Sequence, residues 1–391
     1  MSDQEPKNNN PEPDNNFRKL PDKVVTIGIS PSNPEIIDIK HEIESDKVST
    51  SLFKKRWKKF KSIKRGYYSF LIIIVFYIVS FAFPLLINKD ALVVKYNGNY
   101  YFPVFKFYLA ETFNQDIAGE ANYRLLKKKF LEEDGDNWVV MPVYPYHPNE
   151  NLLDEILGSP PHPPSAEHIC GTDDRARDVL ARLFYGFNIS ISFALVVTFI
   201  SYLIGIFIGA VLGFYSGKID ILGLRLIEIW ETLPYLYVII IVSSILQPNF
   251  IILAIVLTLF NWIGITYYVR GEFFREKARD YVSAAVSMGA KNRTIITKHI
   301  LPNSLTPVIS FAPFAVVGGI GSLVALDYLG FGLPPPTPSW GQLMDQGLTN
   351  IDNWWLVVFP LLALFLTLLA IVFIGEAIRE AFDPKVYSRL R

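Results

Sequence analysis

Hydrophobic positions in this chain fall in long blocks instead of short alternating runs. No charged residue occurs in 67–87, 183–217, 232–269, 303–326 or 353–375. Apolar runs of about eighteen residues or more exceed the needs of an ordinary core helix and are long enough to cross a bilayer. They predict helical spans at about 67–87, 189–214, 225–246, 250–270, 303–327 and 354–378. The stretch 232–269 is roughly twice the length of one crossing, so the chain has to turn within it. Gln247-Pro248-Asn249 supplies the break. The predicted fold class is an all-α polytopic membrane protein with six transmembrane helices and both termini on one side.

The polar segments fill in the rest. Residues 1–16, rich in Asn, Pro, Asp and Glu, bury too little apolar surface to fold alone, and 17–50 hold only short apolar patches. Between the first two spans lies a long insert, 88–188. Within it Asn97-Gly98 separates two β-rich stretches, 91–96 and 99–105, a strong hairpin signal. Residues 121–133 read as a short helix, and the Pro-rich 142–164 as an extended connector. The organisation expected is a largely disordered N-terminal extension at 1–66, span 1 at 67–87 and an extracytoplasmic insert at 88–188. A core at 189–385 follows with spans 2–6 and a cytoplasmic loop at 270–302, and then a cytoplasmic tail at 386–391.

Charge sets the orientation. The segment 270–299 carries seven Lys and Arg, and the tail adds Arg379, Lys385, Arg389 and Arg391, whereas 247–249 and 330–353 carry none. By the positive-inside rule both termini, the 215–224 turn and 270–302 are cytoplasmic, and 88–188 and 330–353 face outward. The basic block from Lys54 to Arg65 abuts span 1, so it reads as a membrane anchor attracted to anionic lipid and not as a nucleic-acid patch. Net charge is zero, which implies neither a strongly acidic nor a strongly basic partner. The first apolar run begins near Tyr67 and no cleavage site follows it, so no secretory signal is expected. The single cysteine, Cys170, leaves no intrachain disulfide to form.

Catalytic chemistry is not evident. Gly213…Gly217-Lys218 is followed by Ile219 and has the wrong spacing for a Walker A loop, so any ATP would be hydrolysed by another chain. His147, His162, His168 and Cys170 match no zinc spacing. Glu228, Glu231 and Glu376 lie near inner span ends, with Arg225 and Arg379 as partners at helical spacing for Glu228 and Glu376. The sequence predicts no catalytic residue, no metal site and no cofactor bound by this chain.

Two patterns do suggest contacts. In 280–289 Asp280 can cap a short helix and Gly289 can end it in the left-handed conformation. Tyr281, Ala284, Ala285 and Met288 then recur at i, i+3, i+4 and i+7 as one apolar stripe, facing either a groove in another protein or the chain's own membrane helices. In span 2, Gly205, Gly209 and Gly213 recur every fourth residue, with Gly217 following, and make a smooth face for close helix approach, within the chain or to a partner.

The segment 280–303 resembles the cytoplasmic loop signature of ABC importer permeases, Glu-Ala-Ala, three residues, Gly, then a basic stretch ending near Leu-Pro. Ala284, Ala285, Gly289, Leu301 and Pro302 match, and Ser283 replaces the Glu. GTDDRARDVLARL at 171–183 resembles the segment before span 2 in the C-type permeases of dipeptide and oligopeptide importers. Gly171, Thr172, Asp173, Arg177, Asp178 and Arg182 match, with Ala176 where Gly is usual. Val179, Leu180 and Leu183 would face the membrane there, with Arg175, Arg177 and Arg182 toward water. LGFGLPPPTPSWGQLM at 329–344 resembles a third stretch of the same permeases, with Pro335, Pro336, Trp340 and Gly341 in the matching positions. The prolines stiffen the turn and Trp340 suits the membrane interface. The tail matches through Arg379, Asp383 and Pro384. The insert and Asp327 resemble the oligopeptide and microcin C uptake branch.

What the resemblance implies is an inner-membrane permease of the type I ABC importer kind, carrying peptides or peptide-like solutes. Its partners would be a second permease chain, two ATPase subunits that hold ATP and magnesium, and an extracytoplasmic solute-binding protein. The 280–289 helix would dock on an ATPase. A nickel or other small-solute importer is the alternative, and an ion-coupled secondary carrier a more distant one, since that would need mid-membrane ionisable groups.

Overall fold

A computed structural model describes residues 52–383 except 134, 154 and 157. The sequence readings on 1–51, and those on Pro384 and the rest of the tail, lie outside the described residues. Among the described residues four helices are long and apolar enough to cross a membrane, six if each of two bent pairs counts as one span.

Helix α1 (Leu52–Ser62) meets α2 (Lys64–Ser80) at a 97° bend. The insert follows. Its strands β1 (Val93–Tyr96) and β2 (Asn99–Tyr101) form the expected hairpin. Asn97 and Gly98 take φ of 50° and 78°, the left-handed pair that a two-residue turn of this hand demands. Helix α3 (Tyr123–Glu132) is capped by the Asn122 side chain, which accepts from the Arg124 and Leu125 N–H groups. Strand β3 (Trp138–Val140) then pairs antiparallel with β1, giving the order β2-β1-β3. Phe113, Tyr123, Leu126 and Phe130 pack on Val94 and Val139, so the insert has its own small core.

Helix α4 (Val179–Tyr215) has 37 residues, ten more at its start than the expected span. At about 1.5 Å per residue it is about 55 Å long, well beyond a hydrocarbon core of about 30 Å, so one end stands outside the bilayer. Val179 and Leu183, expected to face the membrane, lie in the first turns of α4 and are buried within the chain. The cap of α4 is Asp178, whose Oδ1 accepts from the Ala181 N–H at 2.8 Å.

The third span is not one straight helix. Helices α5 (Gly217–Glu231) and α6 (Tyr235–Ile245) are bent by 63°. Pro234 sits between them; it has no N–H to give and its ring clashes with the preceding turn. The break at 247–249 holds, and Asn249 caps α7 (Phe250–Lys277) by accepting from the Ile252 N–H at 2.9 Å. Helix α8 (Asp280–Ser287) is short. Helix α9 (Asn292–Tyr328) contains a π-helical turn at Ile295–Ile300, just before Pro302. Pro302 offers no N–H to the Lys298 carbonyl, and such wide turns relieve that mismatch. Helices α10 (Trp340–Thr349) and α11 (Trp355–Phe382) close the chain.

Several apolar clusters tie the membrane helices together, and two of them position the polar groups. One joins the N-terminal third of α4 to α9, α10 and α11 through Leu183, Phe187, Val324, Trp340, Leu343 and Leu356. The other joins the far end of α4 to α7, α8 and α9 through Phe214, Val269, Phe273, Val282, Ile295 and Ile300. These clusters hold the two polar constructions described next at opposite ends of α4.

Candidate functional site

Helix α8 begins after Arg279, which is extended and makes no side-chain cap, so Asp280 lies in the first turn instead of capping it. There its carboxylate still suits the positive end of the helix dipole. At the other end Gly289 has φ of 77°, its N–H bonds the Val286 carbonyl at 2.9 Å, and the Ala290 N–H bonds the Ala285 carbonyl at 3.0 Å. That pair of bonds is a Schellman closure, which a Cβ at 289 would strain.

The predicted apolar stripe splits between two faces. Val282 is buried against Val269, Phe273, Ile295 and Ile300, and Ala285, three residues on, is buried as well. Ala284 is exposed, and Tyr281, Val286 and Met288 are 38%, 57% and 80% exposed. The reading that placed Ala285 on the docking face is therefore corrected. A ten-residue stretch of helical pattern does not say which side of its stripe the membrane helices take. Beside α8 a cavity of about 530 Å³ is lined by Phe214, Lys277, Ser283, Val286, Asn292 and Ile295 among others.

The ring of Tyr281 ties α8 to its neighbours. Its hydroxyl donates to Glu276 Oε2 at 2.6 Å and accepts from Asn303 Nδ2 at 3.1 Å. Burial and the Glu276 carboxylate push this phenol above its ordinary value. Lys277 Nζ donates to the Phe214 carbonyl at 2.6 Å, satisfying the end of α4. Glu276 and Asn303 went unnoticed in the sequence, because nothing in their spacing marks them as partners of Tyr281.

At the other end of α4, the motifs at 171–183 and 329–344 prove to be one construction. Asp173, Arg177, Asp178 and Arg182 are all buried. Asp173 Oδ2 accepts from Arg177 Nε at 2.7 Å, and its Oδ1 accepts from the Arg175 and Arg177 N–H groups at 3.0 and 2.9 Å. Arg182 Nε lies 3.5 Å from Asp173 Oδ2, and its terminal nitrogens donate to the carbonyls of Pro148 at 3.1 Å and Thr337 at 3.3 Å. Asp178 Oδ2 takes the Tyr144 hydroxyl at 2.7 Å and His168 Nδ1 at 2.8 Å. Two carboxylates and two guanidinium groups balance, which is what allows four charges to stay out of water. Arg177 and Arg182 thus do not face water as expected; only Arg175 does. Burial and the Asp178 carboxylate push the Tyr144 phenol up, and the same causes push the Cys170 thiol up to about 11.

Trp340 is likewise buried and not interfacial. Its Nε1 donates to the Leu183 carbonyl at 3.0 Å, and its ring lies where a Cβ on Gly186 would be, 2.9 Å away. Asp327 accepts from the Leu333 N–H at 2.7 Å and the Ser339 hydroxyl at 2.6 Å, closing the loop over α9. An ideal Cβ on Gly341 would come within 2.7 Å of the Tyr328 nitrogen. Pro335 and Pro336 are joined by a cis peptide, and this loop presents the Thr337 carbonyl to Arg182. The construction joins the insert, α4 and the α9–α10 loop into one rigid end.

The glycine face also finds its partner. Gly205, Gly209 and Gly213 all lie against α7, the backbone of which blocks any added Cβ. The open choice between internal and inter-chain packing is settled for the internal one at these three positions. Among the acidic groups near span ends, Arg225 and Glu228 pair at 2.6 Å, while Glu376 meets Arg65 at 3.0 Å in place of the expected Arg379. Among the described residues no group of three or more His, Cys, Asp or Glu is placed to hold a metal ion.

Comparison with known proteins supplies the family. Residues 205–388 match the family described as the binding-protein-dependent transport system inner membrane component. The chain is 40% identical over 332 residues to the inner membrane ABC transporter permease protein YejE of Escherichia coli, covering 84% of this chain and 96% of that one. It is 36% identical over 357 residues to the peptidoglycan transport system permease protein YejE of Agrobacterium fabrum, covering 85% and 93%. With the dipeptide transport system permease protein DppC of Bacillus subtilis it shares 34% identity over 251 residues, covering 64% and 78%. A chain with this arrangement of membrane helices and relatives matched over nearly their whole length belongs to the family of inner membrane permease components of binding-protein-dependent ABC transport systems.

Proposed function

We propose that this chain forms half of the pore of an ATP-driven importer for peptides or peptide-like solutes. The other half is a second permease chain, energy comes from two ATPase subunits that hold ATP and magnesium, and a solute-binding protein delivers cargo from outside. The names carried by the peptidoglycan and dipeptide relatives support this cargo class over nickel. Membership of a binding-protein-dependent family removes the reason to consider an ion-coupled carrier.

The observation that carries the proposal is the exposed side of α8. Ala284, Val286 and Met288 are exposed on a short, rigidly closed helix that Tyr281 anchors to Glu276 and Asn303 through its hydroxyl. In water a short apolar face seeks a groove in another protein. Val282 locks the same helix into the cluster with Phe273 and Ile300, and Ala285 is buried too. A push on the exposed face is therefore passed to α7 and α9. Met288→Glu is expected to abolish uptake and ATPase co-purification while leaving the chain folded in the membrane. Wild-type uptake by that variant would sink the docking role. Ala285→Glu, by contrast, is expected to misfold.

The Lys and Arg asymmetry of the short loops supports a cytoplasmic position for both termini and α8, with 88–188 and the α9–α10 loop outside. The test is Asn97→Cys in a Cys170→Ser background, because Asn97 is exposed at the hairpin tip. Labelling by an impermeant thiol reagent from the outer side supports this orientation, and labelling solely from the inner side reverses it. Ser339, which is buried and bound to Asp327, is unsuitable for this purpose.

A further inference from the structure

The N-terminal helix carries more charge than the chain itself uses. In α1, Phe53, Trp57 and Phe60 recur at i, i+4 and i+7, and Lys54, Lys58 and Lys61 recur at the same interval one position on. These are two neighbouring stripes of an amphipathic helix. The helix is bent 97° from α2, which holds the first apolar crossing. A helix at right angles to a span, at its basic end, lies along the membrane surface.

Three cations of this block are occupied inside the chain. Arg56 lies 4.5 Å over the Phe382 ring, Lys59 pairs with Glu380 at 2.8 Å, and Arg65 pairs with Glu376 at 3.0 Å. The first two contacts pin α1, and the third the start of α2, to the end of α11. Lys54, Lys55, Lys58 and Lys64 are exposed, and among the described residues no carboxylate pairs with them. Lys61 sits above the rings of Trp57 and Tyr67, and among the described residues no carboxylate pairs with it.

Beside these lysines runs a groove of about 160 Å³. Its walls include Phe53 and Trp57 from α1, Phe70 from α2, Ile309 from α9, and Ile378 and Phe382 from α11. Phe53 and Trp57 are 69% and 40% exposed. Unneutralised positive charge against an apolar slot at the membrane surface fits one kind of molecule, with an anionic head and a hydrocarbon tail. A nucleic acid or an acidic protein would answer the lysines but leave the slot unfilled.

We propose that α1 and this groove form a binding site for an anionic phospholipid, with an acyl chain in the slot and the phosphate held by Lys54, Lys58 and Lys61. The bound lipid bridges the N-terminal helix to α9 and α11. This site does not depend on which solute the chain carries.

The test uses the full-length chain in phosphatidylcholine vesicles. Phosphatidylglycerol brominated on its acyl chains is titrated in, and Trp57 quenching is taken as the difference between wild type and Trp57→Phe. Brominated phosphatidylglycerol is expected to quench Trp57 at a much lower mole fraction than brominated phosphatidylcholine. The variant Lys54→Gln/Lys58→Gln/Lys61→Gln is expected to lose that preference by at least about tenfold, since each surface lysine contributes to anionic-lipid attraction. All three lysines are exposed, so size-exclusion elution should be unchanged. Equal quenching by both lipids, no quenching by either, or an undiminished preference in the triple variant would overturn the site.

Discussion

Consider Gly209→Ala, a change of one methyl group on α4. An ideal Cβ there lies 2.7 Å from the Thr266 carbonyl oxygen, 2.9 Å from Val269 Cβ and 3.1 Å from the Arg270 nitrogen. Two of those atoms are backbone, so no rotamer change relieves the clash. The helices must part by about 0.5–1 Å, and a gap of that size forfeits a quarter to a half of each dispersion contact it opens. Overpacking of this kind costs about 1–3 kcal/mol. Alanine returns up to about 1 kcal/mol as the better helix former. The net expectation is a loss of about 1–2 kcal/mol. Gly264→Ala on α7 is the matched control, because nothing lies within 4 Å of its added Cβ. Unfolding of the purified chain, expressed without a partner permease, measures both variants. Gly209→Ala should lower the midpoint and Gly264→Ala should not. Equal midpoints, or a loss seen only when a partner is co-expressed, would refute packing of this face within the chain.

Other expectations follow from the outer construction. Arg182→Met leaves Asp173 buried with one guanidinium fewer and should cost about 3–5 kcal/mol, read as loss of folded protein on size exclusion. Trp340→Ala should cost about 3–5 kcal/mol through the cavity it opens, whereas Trp340→Phe should lose only about 1 kcal/mol with the bond to the Leu183 carbonyl. The Cys170 thiol, raised from an ordinary 9.0 to about 11, stays protonated in the fold at a pH where the unfolded thiol ionises. Any stability from this neutral thiol is present below pH 9 and fades as pH rises through about 11. Maleimide labelling near pH 9 should therefore be slow in the native chain and fast once it is denatured; rapid native labelling would contradict the buried placement.

Much of the architecture was already legible in the chain. The spans were visible because a bilayer demands an uninterrupted apolar length, and that is a property of consecutive residues. The hairpin at Asn97-Gly98 and the left-handed close at Gly289 were legible for a similar reason: a positive φ is a demand on one residue, and few residues meet it. The start of α7 was legible for another local reason, the Gln247-Pro248-Asn249 break in the apolar run. The bend at Pro234 also had a local cause, but it was hidden inside a stretch judged only by its lack of charge.

What tertiary structure alone decided is which surfaces became interior. Ala285 and Ala284 are adjacent and chemically identical, yet one is buried and the other faces out. Arg182 looked like a solvated arginine until the Pro148 and Thr337 carbonyls, brought from distant loops, offered it bonds. Trp340 matched the profile of an interfacial residue, but Gly186 leaves a place for its ring. The three glycines announced a close approach without naming the helix that would make it. Local conformation depends on a residue and its neighbours in sequence, whereas burial depends on the groups facing it across an interface, and these come from parts of the chain that no local pattern connects.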